Sequence, residues 1–203
     1  MSNQPDDLRR LGIFGGTFDP IHLGHLICAE QLREALALDV VLLVPTHSPP
    51  HKPVSTPADP KHRLAMVRLA IEGYRGLRDS DVEIRRGGTS YTIDTVRDLR
   101  EEYGLETEFW LLMGQDSYQD ISSWKEPDRI AAQCFFGVAR RPGYEREIEP
   151  PVPGIRSEFV DITAVGISST DIRARISEGG SISFLVPRAV EDYIEANGVY
   201  APA

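Results

Sequence analysis

Residues 15–25 constrain the fold of this chain more than any other stretch. They read GGTFDPIHLGH, follow a short apolar run at residues 11–14 and lead into helical spacing over residues 23–37. This order predicts a strand, a glycine turn and the start of a helix. Glycines let the backbone approach a ligand closely, and a helix start offers unpaired N–H groups to an anion. The stretch therefore predicts a phosphate-binding turn after the first strand.

The two histidines of this stretch give the turn its chemistry. His22 and His25 lie three residues apart, which places both imidazoles on one face of the first helical turn. There they can donate hydrogen bonds to phosphate oxygens and stabilise charge that develops during phosphoryl-group transfer. Metalloprotease helices instead space two histidines four residues apart with a glutamate between them. The two glycines alone would also be compatible with an ordinary tight turn. The whole stretch, however, favours phosphate chemistry.

Apolar runs and helical spacing alternate along the rest of the chain. Further strands are predicted at residues 39–45, 81–86, 108–113, 134–139 and 159–162. Further helices are predicted at residues 61–74, 91–103, 117–124, 128–133, 169–178 and 187–197. This alternation predicts an α/β fold with a Rossmann-like, doubly wound, mainly parallel sheet and helices on both faces.

Length and composition limit the classes of protein that the chain can be. A length of 203 residues predicts a single domain, with a core at about residues 8–165 and a C-terminal helical part at about residues 166–203. A net charge of −9 argues against general binding to nucleic acid. The two cysteines, Cys28 and Cys134, form no C-x-x-C pair, which is typical of a reducing compartment.

The sequence also carries no apolar N-terminal signal segment and no apolar run of membrane-spanning length. We therefore expect a cytoplasmic protein with no membrane and no nucleic acid among its partners. The sequence leaves open whether the chain forms a homo-oligomer.

Chemically distinctive residues follow the predicted strands. Gly15 follows the first strand, His47 to Lys52 follow the second, and Asp116 and Arg140 follow two later ones. In open parallel sheets, ligands bind outside the carboxyl ends of the strands, near the point where the strand order reverses. The sequence therefore predicts one cleft at that edge of the sheet.

A second cluster opens a helix near the C-terminus at residues 167–173, which read ISSTDIR. Serine and threonine are good N-caps, and capping alone explains these hydroxyls equally well. Three hydroxyls and open N–H groups, with Arg173 one turn into the helix, also describe a second anion site. An arginine fork suits phosphate oxygens better than a lysine does.

Both clusters resemble signatures of the nucleotidylyltransferase superfamily. In the first signature a T/H-x-G-H core binds a nucleoside triphosphate, and here that core reads HLGH. The stretch at residues 167–173 resembles the second signature of the same superfamily. Other strings resemble the nicotinate mononucleotide adenylyltransferases of bacterial NAD synthesis: SPPHK at 48–52, SYTIDT at 90–95, GQDS at 114–117 followed by Trp124, RPG at 141–143, VP at 186–187 and YI at 193–194. The resemblance spans about residues 11–200.

The resemblance implies a reaction. The 5′-phosphate of nicotinate mononucleotide would attack the α-phosphorus of ATP, pyrophosphate would leave and nicotinate adenine dinucleotide would form. Mg²⁺ would be carried by ATP, and no covalent intermediate with the protein is required. The partners implied are ATP and nicotinate mononucleotide.

The resemblance also implies roles for individual residues. The catalytic side chains would be His22, His25, Lys52 and Arg173. Ser168, Ser169 and Arg173 would hold the outer phosphates, while Lys52 and His51 would bring charge over them. Asp116 would bind ribose hydroxyls, Trp124 would stack on the pyridine ring, Thr92 would receive the nicotinate carboxylate and Arg140 would lie on the adenine side. Substrate would further contact Gly15, Gly16, Thr17, Phe18, Gly114 and Ile167.

Two observations bear on the pyridine pocket. Lys125 follows Trp124 at a place where the family often has an aromatic residue, so the sequence does not show how the far side of the pocket closes. No aspartate or glutamate occurs in residues 87–93 to accept a hydrogen bond from an amide. The sequence therefore predicts a preference for nicotinate mononucleotide over its amide counterpart.

Two alternatives remain open at the level of sequence. The first is another adenylyltransferase of the superfamily, such as one that acts on phosphopantetheine. The Ser48–Lys52 loop, the Tyr91-Thr92 helix start and Trp124 favour a pyridine mononucleotide instead. The second is a nucleotide-binding module without activity, but binding alone would not need His22, His25 and Arg173 together.

Overall fold

The computed structural model describes residues 8–50, 58–140 and 149–201. Within these residues, six strands form one sheet in which every neighbouring pair is parallel. The strands are β1 (Arg10–Gly16), β2 (Val40–Pro45), β3 (Leu77–Asp79), β4 (Glu108–Gly114), β5 (Phe135–Arg140) and β6 (Ser157–Asp161). Their spatial order is β3-β2-β1-β4-β5-β6. The predicted parallel α/β fold is confirmed.

The strand order reverses beside β1. The chain runs outward from β1 to β2 and β3, and then returns to place β4 on the other side of β1. The glycines that end the two central strands, Gly15 and Gly16 in β1 and Gly114 in β4, flank this reversal. Open α/β sheets bind ligands at such a point. The fold thus places the first sequence motif at the expected position.

Helices cover both faces of the sheet. They are α1 (Leu23–Ala35), α2 (Pro60–Ala70), α3 (Val82–Arg86), α4 (Thr92–Tyr103), α5 (Gln115–Gln119), α6 (Pro127–Gln133), α7 (Ser169–Ser177) and α8 (Arg188–Asn197), with a 3₁₀ turn at Asp120–Ser123. Strand β2 shows the two-sided burial clearly. Val41 and Leu43 pack towards α1, α2, α7 and α8, whereas Leu42 and Val44 pack towards α3, α4 and α6.

The predicted strand at residues 81–86 is wrong. The chain forms β3 just before it, and residues 82–86 form α3. The backbone N–H of Arg85 bonds the carbonyl of Asp81, and Gly87 bonds Glu83 in the same way. Val82 and Glu83 are both buried although they are adjacent, which a half-buried strand does not allow. Six residues are too few for alternation to separate a strand from a short helix.

The helix predicted at residues 61–74 is too long. It ends at Ala70, and Gly73 adopts a positive φ of 85° in the turn that leads to β3. The other predicted elements are found with ends that differ by a few residues. Within residues 8–50, 58–140 and 149–201, no helix combines the length and apolarity that crossing a bilayer requires.

Candidate active site

Two clefts open at the reversal point of the sheet, where the sequence predicted one. We name the first the histidine cleft, a cavity of about 370 Å³ lined by His22, His25, Asp116 and residues 162–165 and 167–170. The second, the tryptophan cleft, has a volume of about 400 Å³ and is lined by Gly15, Thr17, Glu83, Thr92, Trp124 and Lys125, among others. Phe14 and Gly114 line both clefts. Ligands in the two clefts would therefore meet where β1 and β4 end.

His22 and His25 form a reciprocal cap at the start of α1. The backbone N–H of His25 donates to Nδ1 of His22, and the N–H of His22 donates to Nδ1 of His25, both over 3.3 Å. The rings stack with centroids 3.6 Å apart. Because each Nδ1 accepts a hydrogen bond, each neutral imidazole carries its hydrogen on Nε2. Both side chains therefore have a defined donor atom and line the histidine cleft.

His25 is held in its neutral form. Burial and the neighbouring His22 lower the pKa of His25 to about 3. Phe18 is 2% exposed and packs edge-on against the His25 ring, with centroids 5.1 Å apart. Phe18 packs against the imidazole and lines neither cleft, whereas the resemblance implied contact with substrate. His25 can act as a neutral hydrogen-bond donor at a helix start.

Glycines make room at two points of this site. A Cβ at Gly24 would lie 3.1 Å from Nδ1 of His22, so a side chain there would press on the imidazole. A Cβ at Gly15 would meet no atom within 4 Å and would stand in the tryptophan cleft. Gly15 therefore keeps the cleft open without serving the packing of the fold.

We expect Gly15→Ala to fold with normal stability and to raise the KM for the ligand of the tryptophan cleft by about tenfold or more. The added methyl group clashes with nothing in the protein but occupies space that the ligand needs. Urea unfolding and steady-state kinetics measure the two effects. A variant with unchanged KM for both substrates would show that no ligand approaches Gly15.

The outer wall of the tryptophan cleft contains two aromatic side chains. Trp124 lines the cleft, as does Tyr91, which precedes α4. Nζ of Lys125 lies 4.6 Å from the centroid of the Tyr91 ring and 3.1 Å from a carboxylate oxygen of Asp94. Lys125 therefore packs over the Tyr91 ring in the wall of this cleft. Thr92, the first residue of α4, lies in the same wall.

Glu83 is a cleft residue that the sequence analysis missed. It belongs to α3, is 7% exposed and lines the tryptophan cleft. Its carboxyl Oε1 accepts a hydrogen bond from Oγ1 of Thr95 over 2.6 Å. Residues 87–93 contain no acidic residue, but a carboxyl group from outside this segment still lines the cleft. Because the segment that contains Glu83 was predicted to be a strand, the sequence did not indicate that this residue would reach the cleft.

The second motif lies across the histidine cleft from the first. Ile167, Ser168 and Ser169 line this cleft. Ser168 caps α7 by accepting from the N–H of Asp171, and the hydroxyl of Ser169 donates to the carbonyl of Pro20 over 2.9 Å. The residues at this helix start therefore cap the helix and line the cleft at the same time.

Arg173 and Arg140 do not line either cleft. Nη1 of Arg173 donates to the carbonyl of Asp19 over 2.7 Å, which ties α7 to the turn before His22. Nε of Arg140 lies 3.0 Å from a carboxylate oxygen of Asp161 at the ends of β5 and β6. His51, Lys52 and residues 141–143 lie outside the described residues.

Arg63 is a second residue that the sequence analysis missed. Its side chain is fully buried at 0% exposure. The guanidinium donates to the carbonyl oxygens of Thr17, His47 and Ala58 over 2.7, 3.2 and 3.2 Å. It thereby joins the glycine turn to both ends of the long loop between β2 and α2. Helical spacing with Val67 and Ala70 was the available signal, since it puts Arg63 on the apolar face of α2.

No group of three histidine, cysteine, aspartate or glutamate side chains within the described ranges could hold a metal ion.

Comparisons with known proteins agree with this geometry. A model of the cytidylyltransferase-like family matches residues 13–175. A protein of Thermomicrobium roseum named nicotinate-nucleotide adenylyltransferase is 46% identical over 95% of this chain and 92% of its own length. A protein of Thermus thermophilus with the same name is 43% identical over 94% of this chain and 99% of its own length.

A solved structure shows the same fold. The nicotinic acid mononucleotide adenylyltransferase of Plasmodium falciparum, complexed with NaAD, aligns with a TM-score of 0.74 at 19% identity and covers 95% of this chain and 97% of that chain. The alignments of the bacterial relatives cover almost the whole length of both chains at well over 30% identity. The chain therefore belongs to the nicotinate-nucleotide adenylyltransferases of the cytidylyltransferase-like family, which are nucleotidyltransferase enzymes of NAD biosynthesis.

Proposed function

We propose that the two clefts act as one site that transfers the adenylyl group of ATP to nicotinate mononucleotide. ATP occupies the histidine cleft and the mononucleotide occupies the tryptophan cleft. The products are nicotinate adenine dinucleotide and pyrophosphate. The observation that carries this proposal is the meeting of the two clefts at Phe14 and Gly114, which lets a 5′-phosphate in one reach an α-phosphorus in the other.

The site favours direct displacement at phosphorus. The mononucleotide phosphate supplies the nucleophile, so the protein needs to align two polyanions and stabilise the charge that moves to pyrophosphate. His22 and His25 donate Nε2–H bonds near the α-phosphate, and Ser168 and Ser169 receive the outer phosphates. Asp116 accepts from ribose hydroxyls on the ATP side. Trp124 and Tyr91 hold the pyridine ring, with Thr92 at the carboxylate.

In the ligand-free protein, His25 carries no positive charge, because burial and His22 lower its pKa to about 3. The start of α1 supplies a partial positive charge at the phosphates. Enzymes of this family generally use a divalent metal ion with ATP. We propose Mg²⁺ as that ion, entering as part of the substrate MgATP. Lys52 is proposed to add charge from the loop.

The assay that tests this function measures pyrophosphate release from MgATP with a panel of acceptors. We expect release with nicotinate mononucleotide, together with formation of the dinucleotide, and a much slower reaction with phosphopantetheine. Release with phosphopantetheine alone would identify a different adenylyltransferase. Binding of ATP without release for any acceptor would identify a module that has no activity.

We propose that Arg173 supports the binding of ATP in two ways. It holds the turn before His22, and it contacts the outer phosphates of ATP. We expect Arg173→Ala to raise the KM for ATP and to lower kcat, with the KM for the mononucleotide largely unchanged. Arg173→Lys should restore only part of the activity, since an ammonium group cannot form a planar fork. Steady-state kinetics with each substrate varied in turn measures this. Full activity of the lysine variant, or a larger effect on the mononucleotide, would contradict the role.

A further inference from the structure

Residues 17–20, which we name the connecting turn, lead from the glycines of β1 towards the two histidines. Within residues 8–50, 58–140 and 149–201, their backbone forms no hydrogen bond with another backbone group. The turn is nevertheless buried, since Phe18 and Asp19 are 2% and 3% exposed. Side chains from other elements must therefore fix its course.

Side chains from α2 and α7 hold the carbonyl oxygens of the connecting turn. The donors are Arg63 to Thr17, Arg173 to Asp19 and Ser169 to Pro20, over 2.7, 2.7 and 2.9 Å. Ser169 also lines the histidine cleft, and His22 follows the turn after one residue. The second half of the connecting turn, Asp19 and Pro20, therefore supports the histidine cleft.

The side chain of Asp19 is held by Tyr200, which lies beyond the end of α8. The hydroxyl of Tyr200 donates to Oδ1 of Asp19 over 2.6 Å and so joins residues that are 181 positions apart. Burial, and then the bond to Asp19, raise the pKa of Tyr200 above that of an ordinary tyrosine, so the hydroxyl keeps the proton that it donates. A hydrogen bond to a carboxylate is stronger than one between neutral groups.

The backbone of Tyr200 is strained. Its φ of 68° lies in the left-handed region, which residues other than glycine rarely adopt. Such a conformation persists where the surrounding contacts offset its strain, and the bond to Asp19 is a contact of this kind. The ring also packs against the core that α1, α2, α7 and α8 cover. Strained residues cluster at functional sites, which makes the contact between Tyr200 and Asp19 a candidate for a role in activity.

We propose that Tyr200 is a positioning residue for the ATP side of the site and acts through Asp19. Under the proposed function, on which this inference rests, the connecting turn leads into His22 and His25, which meet the phosphates of ATP. Tyr200 fixes the side chain of Asp19 and Arg173 fixes its carbonyl oxygen, so the two bonds together set where α1 begins. A displacement of about 1 Å at reacting groups can lower turnover about a hundredfold. Tyr200 itself lines neither cleft.

The first test is Tyr200→Phe, which removes the hydroxyl and keeps the ring. We expect the KM for ATP to rise and kcat/KM for ATP to fall about tenfold, with the KM for the mononucleotide unchanged. Steady-state kinetics with each substrate varied in turn measures this split. A purely structural role would lower the amount of folded enzyme and leave both KM values unchanged. Wild-type constants for ATP in Tyr200→Phe would overturn the proposal.

Tyr193→Phe is the matched control. Tyr193 lies on α8 and is partly buried, as Tyr200 is. Its hydroxyl lies 2.9 Å from Nδ1 of His62 on α2 and not at the connecting turn. Both variants lose one hydroxyl, but only Tyr200→Phe should change the constants for ATP. The same rise of the KM for ATP in both variants would contradict a specific role of Tyr200.

A double-mutant cycle tests whether Tyr200 acts through Asp19. In Asp19→Ala the hydroxyl of Tyr200 has lost its acceptor, so adding Tyr200→Phe should change the constants for ATP no further. Additive losses would show that the two residues act independently and would overturn the proposal. If Asp19→Ala does not fold, the comparison of Tyr200→Phe with Tyr193→Phe decides alone.

Failure of this inference is distinct from failure of the proposed function. In the first case the wild type forms the dinucleotide from ATP and nicotinate mononucleotide, and Tyr200→Phe has the same constants for ATP. In the second case the wild type forms no dinucleotide from these substrates.

Discussion

Replacing His25 with alanine should leave the protein folded and lower kcat by about 10²–10³. The imidazole lies in the histidine cleft with its hydrogen directed to Nε2 by the reciprocal cap with His22. Loss of one such donor at the reacting phosphate removes a contact that is strongest in the transition state. Single-turnover kinetics at saturating substrates, with circular dichroism to verify folding, measures this effect.

His62→Ala is the matched control for this substitution. His62 lies on α2, where its Nδ1 is 2.9 Å from the hydroxyl of Tyr193, and it lines neither cleft. We expect kcat of this variant to be close to that of the wild type. Because the pKa of His25 in the ligand-free protein is about 3, protonation of His25 should not change kcat/KM until the pH approaches that value. A folded His25→Ala enzyme with wild-type kcat would contradict the assignment.

Replacing Arg63 with methionine should lower the free energy of unfolding by about 3–5 kcal/mol. The substitution removes the donor from three carbonyl oxygens, that of Ala58, which is buried, and those of Thr17 and His47, which are partly buried. The glycine turn and the loop after β2 would also lose their common anchor, so the KM for the ligand of the tryptophan cleft should rise. Urea unfolding measures the stability, and kinetics on the folded fraction measures the KM.

Arg68→Met separates this effect from the loss of any arginine on α2. Arg68 is on the same helix, its side chain is 54% exposed, and it pairs with Asp79 at 2.8 Å. An exposed ion pair contributes about 0–1 kcal/mol, so this control should change stability little. Equal stability losses in the two variants would show that the three carbonyl bonds of Arg63 are not important.

The sequence could predict the sheet because its signals are local. The apolar run of β2, residues 40–45, is buried along its whole length, as such a run predicts in a parallel sheet. The third strand was the exception. Leu77–Asp79 is too short to show an alternation of apolar and polar residues, whereas the residues after it alternate like a strand although they form a helix. The single-domain organisation and the cytoplasmic location remain predictions.

The two signature motifs could also be located from sequence, because their residues are contiguous and cap their own helices. His22, His25, Ser168 and Ser169 are brought to one cleft as expected. Glu83 could not be found in this way. Its place in the cleft depends on α3, and the alternation of apolar and polar residues in this segment predicted a strand instead. Arg173 belongs to the second motif, but its guanidinium bonds the carbonyl of Asp19 and lines neither cleft, which only the tertiary structure reveals.

The central claim is that two separate clefts hold the two substrates and meet at Phe14 and Gly114. A crystal structure with nicotinate mononucleotide and a non-hydrolysable ATP analogue tests it most directly. We predict the pyridine ring against Trp124, the triphosphate against His22 and His25, and the 5′-phosphate in line with the α-phosphorus. A structure with both nucleotides in one cleft, or with the mononucleotide away from Trp124, would contradict the account.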